Sequence, residues 1–162
     1  MIRTAAILSA LAFMLLASVT TTAQAAPRCG RAASMPEAKA LAEQAADHLR
    51  QAGLGAAFRD FIDPDKPYLT EDLYVFVFRR DGLMMLNAGF PQVMGSNVLA
   101  GPGGGAPFAH DALRITKDGG AGWITYSWYN PCTGQMMAKQ SYVIGVGNMV
   151  LGVGAYGTLL ST

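Results

Sequence analysis

Apolar and polar positions change their period once along this chain, near Pro67. Before it, Leu41, Ala45, Leu49 and Ala52 recur at helical spacing, with Glu43, Asp47, Arg50 and Gln51 on the rest of the wheel. Ser34-Met35-Pro36-Glu37 opens this helix as a capping box: the serine hydroxyl accepts from a first-turn amide while Glu37 reaches back to the cap. Gly53 and Gly55 interrupt the helix, Ala56 to Ile62 form a second short piece, and Asp63-Pro64 stops it. The stripe is rich in alanine, which suits close packing against a sheet.

After Pro67 the pattern is that of strands. Leu73-Tyr74-Val75-Phe76-Val77-Phe78 is apolar on both alternations and predicts a strand covered on both faces. Arg80-Asp81-Gly82 turns it, and Leu83 to Leu86 returns. A glycine- and proline-rich stretch runs from Ala88 to Pro107, and Phe108 to Lys117 predicts a second helix closed by Asp118-Gly119-Gly120. Three strands follow: Trp123 to Tyr129, Met136 to Val146 and Met149 to Tyr156. Asn130-Pro131-Cys132-Thr133-Gly134 joins the first two, and a tight Gly147-Asn148 hairpin the last two. The sum is an α+β domain, a long N-terminal helix packed on a mostly antiparallel five-stranded sheet.

The first residues change what counts as the folded chain. Arg3 followed by the uncharged apolar run Ala5 to Val19 and by Ala23-Gln24-Ala25 reads as a signal peptide over residues 1–25. The run is short of the ~20 residues a bilayer span needs. No cysteine follows the cleavage point directly to take a lipid, so a soluble, periplasmic product is expected, with one domain over residues 26–162. Within the full 162 residues the formal net charge is +1, and loss of Arg3 makes the mature chain neutral. That excludes the lysine and arginine field of a nucleic-acid binder. The 51% hydrophobic content excludes a disordered chain. Cys29 and Cys132 are the only cysteines. In an oxidising compartment they are expected to join, closing a loop whose cross-link restricts the unfolded chain by up to ~4 to 5 kcal/mol.

Little in the chain points to catalysis. Neither cysteine has a histidine close in sequence. His110-Asp111 has no Gly-x-Ser-x-Gly elbow to serve, and Gly101 to Gly105 lacks the Gly-Lys-Ser/Thr ending of a phosphate loop. His48 and His110 do not form a metal motif, and Asp63, Asp65, Glu71 and Asp72 read as a solvated acidic corner. No enzyme activity, cofactor or metal is expected. The alternative chemistry is ligand binding. Tyr126 and Trp128 share one strand face, whereas Lys139 and Tyr142 on the next strand point to opposite faces unless a bulge intervenes. Phenol and indole groups can hold a small ligand, and a lysine can neutralise a carboxylate. Trp123 and Trp128 suit core packing and ligand contact equally. Tyr74 lies within its strand. Asn87, at the end of the partner strand, suits either a loop cap or an amide offered to a ligand.

The run Asp72 to Val77 with Asp81-Gly82 and Phe90-Pro91-Gln92-Val93-Met94-Gly95-Ser96-Asn97 resembles the first half of a single Cache domain of type 2. The stretch Gly119 to Pro131, continued by Thr133-Gly134, Lys139-Gln140-Ser141-Tyr142-Val143 and Gly152-Val153-Gly154-Ala155-Tyr156, resembles its second half. The resemblance implies a PAS-like sheet backed by a long helix, enclosing a pocket for a small extracellular metabolite such as an organic acid or amino acid. It implies a ligand set drawn from Tyr74, Asn87, Trp123, Tyr126, Trp128, Lys139 and Tyr142. Most such domains belong to receptors, but only six residues follow Tyr156 here, so signalling is expected to pass through a separate membrane receptor. The rival expectation is an interaction module that keeps the sheet and has lost the pocket.

Overall fold

A computed structural model of the chain describes residues 29–70, 72–100 and 105–157. The signal peptide expected over residues 1–25 lies outside the described residues, as do Glu71 and most of the Gly101 to Gly105 run. Helix α1 spans Met35–Ile62, and its start is the capping box read from the sequence. The Glu37 amide donates to Ser34 Oγ at 3.4 Å and the Ser34 amide donates to Glu37 Oε2 at 2.8 Å. The helix buries Ala38, Leu41, Ala42, Ala45, Ala46 and Leu49, then Ala57 and Phe61. Between these groups Gly53 leaves helical geometry at φ 75°, ψ 169°, so α1 is two helical pieces meeting at a kink. Ala52, expected on the buried stripe, is exposed, because the stripe passes from Leu49 across the kink to Ala57. His48 Nε2 lies 2.7 Å from Asp60 Oδ2 and so ties the two pieces together, its ring stacked on Tyr68.

The strands are β1 (Leu69–Thr70), β2 (Leu73–Arg79), β3 (Met84–Asn87), β4 (Ala121–Asn130), β5 (Gln135–Val146) and β6 (Met149–Gly157). They form one antiparallel sheet in the order β1-β2-β6-β5-β4, with β3 also paired to β2. The sixth strand absent from the expectation is β1, too short to carry a pattern of its own; it is defined by the pairing of Leu69 with Tyr74 and of Thr70 with Leu73. Helix α2 covers Pro107–Ile115, and Lys117–Gly119 forms a separate short 3₁₀ turn where a longer helix was expected.

The two sheet faces carry different layers. On one, Val75, Val77, Leu151, Val153 and Ile144 pack with the alanines of α1. On the other, Phe76, Phe78, Val143, Val150 and Ile124 pack with Phe108, Ala109 and Ala112 of α2. This is why Leu73 to Phe78 are buried at every position. The Cys29–Cys132 disulfide, with Cα atoms 5.4 Å apart, ties the segment ahead of α1 to the β4–β5 turn. Asp72 is no part of a solvated corner: it is 3% exposed, and its Oδ1 accepts the Ala33 amide at 2.9 Å, anchoring the chain just before α1.

Candidate functional site

Strand register sets the site. Tyr126 of β4 lies opposite Lys139 of β5, which lies opposite Tyr156 of β6, so three polar-tipped side chains form a row on the α2 face. Tyr74 extends the row from β2: its hydroxyl is 2.9 Å from that of Tyr156. Tyr156 in turn donates to the Tyr129 carbonyl at 2.8 Å. That hydrogen bond uses the single hydroxyl proton of Tyr156, so Tyr74 is the donor between the two phenols. The Tyr126 hydroxyl pairs with Ser141 Oγ at 2.9 Å. Aromatic rings close the space above. Phe108 of α2 stacks on Tyr126 with centroids 4.8 Å apart, and Trp128 meets Phe108 and Phe90 edge-on.

Five of the seven residues expected to bind ligand meet around one cavity: Tyr74, Asn87, Tyr126, Trp128 and Lys139. Phe76, Met84 and Phe108 complete its wall. The space is tight. It admits the centre of a water-sized sphere over about 10 Å³, room for one water or one group of that size. Trp123 and Tyr142 are not brought there. Register continues unbroken along β4 and β5, so the odd spacing from Lys139 turns Tyr142 to the α1 face. There Trp123 meets it edge-on at 5.2 Å, and the Lys39 ammonium of α1 sits over the Tyr142 ring. The Asn87 carboxamide oxygen accepts the Phe90 amide at 2.9 Å, so Asn87 caps the loop as well as lining the cavity.

Lys139 dominates the electrostatics. It is completely buried, and its Nζ is the one buried side-chain nitrogen or oxygen without a hydrogen-bond partner among the described residues. Its neighbours are ring faces: Nζ is 3.7 Å from the Tyr74 centroid and 4.7 Å from that of Tyr156. Its stem crosses β6 where residue 154 is glycine. A Cβ at Gly154 would stand 2.5 Å from Lys139 Cε and 2.1 Å from Ser141 Oγ, so a side chain there would force both to shift. Cation–π contacts contribute up to ~2 kcal/mol each when desolvated, whereas an unpaired buried ammonium costs several kcal/mol. Burial therefore pushes the Lys139 amine well below its usual range, with the Asp72 carboxylate pulling weakly the other way. Burial also raises the hydroxyls of Tyr74, Tyr126 and Tyr156, which stay neutral phenols.

The result is an apolar, ring-lined space with one amine that lacks an acceptor. A hydrogen-bond acceptor inside this space would complete the bonding of that amine. Among the described residues no group of three histidine, cysteine, aspartate or glutamate side chains is placed to hold a metal. Phe76 and Phe108 escaped the sequence reading, although Phe76 stands two residues from Tyr74 on the same strand and so shares its face. Asp72 escaped it because a carboxylate beside a turn carries no mark of burial.

Residues 36–160 match the sequence profile of a family described as the Cache domain. Comparison with curated proteins returns no match. Solved structures resemble the fold, among them the following. A methyl-accepting chemotaxis protein from Vibrio parahaemolyticus RIMD 2210633 aligns with TM-score 0.52 at 21% identity over 75% of this chain and 82% of that one. The periplasmic sensor domain of a chemotaxis protein aligns with TM-score 0.51 at 20% identity, covering 75% and 88%. A structure titled for carboxylic acid recognition by a Cache chemosensory domain aligns with TM-score 0.50 at 18% identity, covering 75% and 86%.

Proposed function

This chain belongs to the Cache domain family, and from that premise we propose that it is a periplasmic sensor for a short monocarboxylate, held by Lys139. The observation that carries the reading is the buried Lys139 nitrogen, which has no hydrogen-bond acceptor and opens onto the cavity. A carboxylate oxygen would supply that acceptor and pair with the ammonium, forming the stronger, charge-assisted kind of hydrogen bond. The wall around it is otherwise uncharged and offers one amine, so it suits a single negative charge; a dicarboxylate would leave its second carboxylate unpaired. The closed space holds no more than one water, so even a short carboxylate enters only as Phe108 moves off Tyr126, and each added carbon demands more of that movement. A similar fold is described, in one of the solved structures, as recognising a carboxylic acid. The disulfide and the apolar N-terminal run of the sequence agree with an exported protein. A separate membrane receptor that prefers the loaded form would transmit the signal.

The small size of the cavity also favours a second reading, an interaction module with no ligand. Thermal shift decides between them. Formate, acetate, propionate and lactate are screened beside amino acids and purines, on the wild type and on Lys139→Met. A true ligand at one hundred times its Kd adds about 2.7 kcal/mol of stability, and the variant shows no gain. A flat response of the wild type to every carboxylate overturns the sensor reading.

A further inference from the structure

We propose that this site takes up a proton together with its carboxylate, so that what it binds is, in sum, the undissociated acid. The inference rests on the carboxylate reading above and adds to it a dependence on pH. In the empty site two ring faces are the groups in contact that favour a charged lysine. The Lys139 nitrogen is sealed from water and has no hydrogen-bond acceptor, and no carboxylate stands at ion-pair distance among the described residues. The groups that face it can be followed element by element. Strand β2 presents the Tyr74 ring and β6 the Tyr156 ring; β4 presents Tyr126, whose hydroxyl is taken by Ser141 of β5. The end of β3 gives the uncharged Asn87, and α2 the hydrocarbon ring of Phe108. Among the described residues the one anion whose field reaches the amine is Asp72, ahead of β2, and it is engaged by the Ala33 amide.

The empty site therefore favours the neutral amine more than water does. An incoming carboxylate favours the ammonium, and the added proton comes from solvent: RCOO⁻, Lys139–NH₂ and H⁺ give an RCOO⁻ ··· ⁺H₃N–Lys139 pair. Charge and atoms balance with no other reactant. Above the pH at which the empty site loses its proton, affinity falls about tenfold per pH unit; below it, affinity levels off. Such a sensor answers to acid and acidity together.

Two measurements on the wild-type protein test this. First, ¹³Cε shifts of labelled lysine follow Lys139 in the ligand-free protein, with Lys139→Met identifying its signal. The expected midpoint is well below the ordinary 10.5. Second, calorimetry of acetate binding in buffers of different ionisation enthalpy counts protons, and about one is taken up per acetate over the pH range above the ligand-free midpoint found in the first measurement. A ligand-free midpoint near 10.5 overturns the proposal, and so does acetate bound with no proton uptake across that range. A low midpoint in a protein that binds no carboxylate overturns the ligand reading instead, and the coupling with it.

Discussion

Lys139 is the residue whose environment most departs from what its type tolerates, and its cost is measurable without a ligand. The folded-state pKa of this amine lies below its value in the unfolded chain. Between the two values the unfolded state holds more protons, so stability rises with pH across that window. The penalty is fully present below the depressed value and disappears as pH approaches about 10, the free tyrosine and lysine range. Tyr74, Tyr126 and Tyr156 act in the opposite direction above about pH 10, because their raised hydroxyls keep protons that unfolded tyrosines release. Chemical denaturation as a function of pH should therefore show wild-type stability climbing to a maximum at about pH 10 and then falling. Lys139→Met, lacking the buried amine, should exceed the wild type most at low pH, the gap closing as pH rises. A constant gap across the range would mean that the lysine is charged in the fold. The sequence named this residue but not its direction; register alone, through the unbroken pairing of β4 with β5, decides that it faces inward while Tyr142 faces α1.

Among the elements, α1 shows most clearly what can be read in advance and what cannot. Its start was legible because a capping box is a local device: Ser34 and Glu37 need only each other. The interruption at Gly53 was legible too, since glycine is weak inside a helix. What keeps the two pieces together was not, because the His48–Asp60 pair and the stacking on Tyr68 arise only after the chain bends. Gly53 occupies a backbone region almost reserved for glycine, with no atom within 4 Å of the position a Cβ would take. Gly53→Ala should thus cost about 1–3 kcal/mol through backbone strain and not through a clash. Equilibrium denaturation measures the loss, and a neutral substitution would show that the helix can run straight. The strands were legible from their alternation. The two-residue β1 and the buried role of Asp72 were not, since both depend on partners distant from any local pattern.

At the scale of the whole molecule, the fold class followed from element order, while the site needed the sheet to be assembled. Tyr74, Tyr126, Lys139 and Tyr156 come from four strands, and only the order β2-β6-β5-β4 sets them side by side. The cross-link from Cys29 to Cys132 spans 103 positions of sequence. Replacing both cysteines by serine should lower stability by up to about 4–5 kcal/mol in the chain-entropy account, read as an earlier urea midpoint with the fold's circular dichroism retained. An unchanged midpoint would mean that the bridge constrains nothing.

The same bridge governs what happens when the chain is cut. Residues 88 to 107 lie between its two ends, in the glycine- and proline-rich connection ahead of α2. A protease that nicks this connection yields two fragments still covalently joined, one bearing α1 and β2, the other α2 and the long strands. On an electrophoresis gel they migrate as one species until a thiol is added, and then as two.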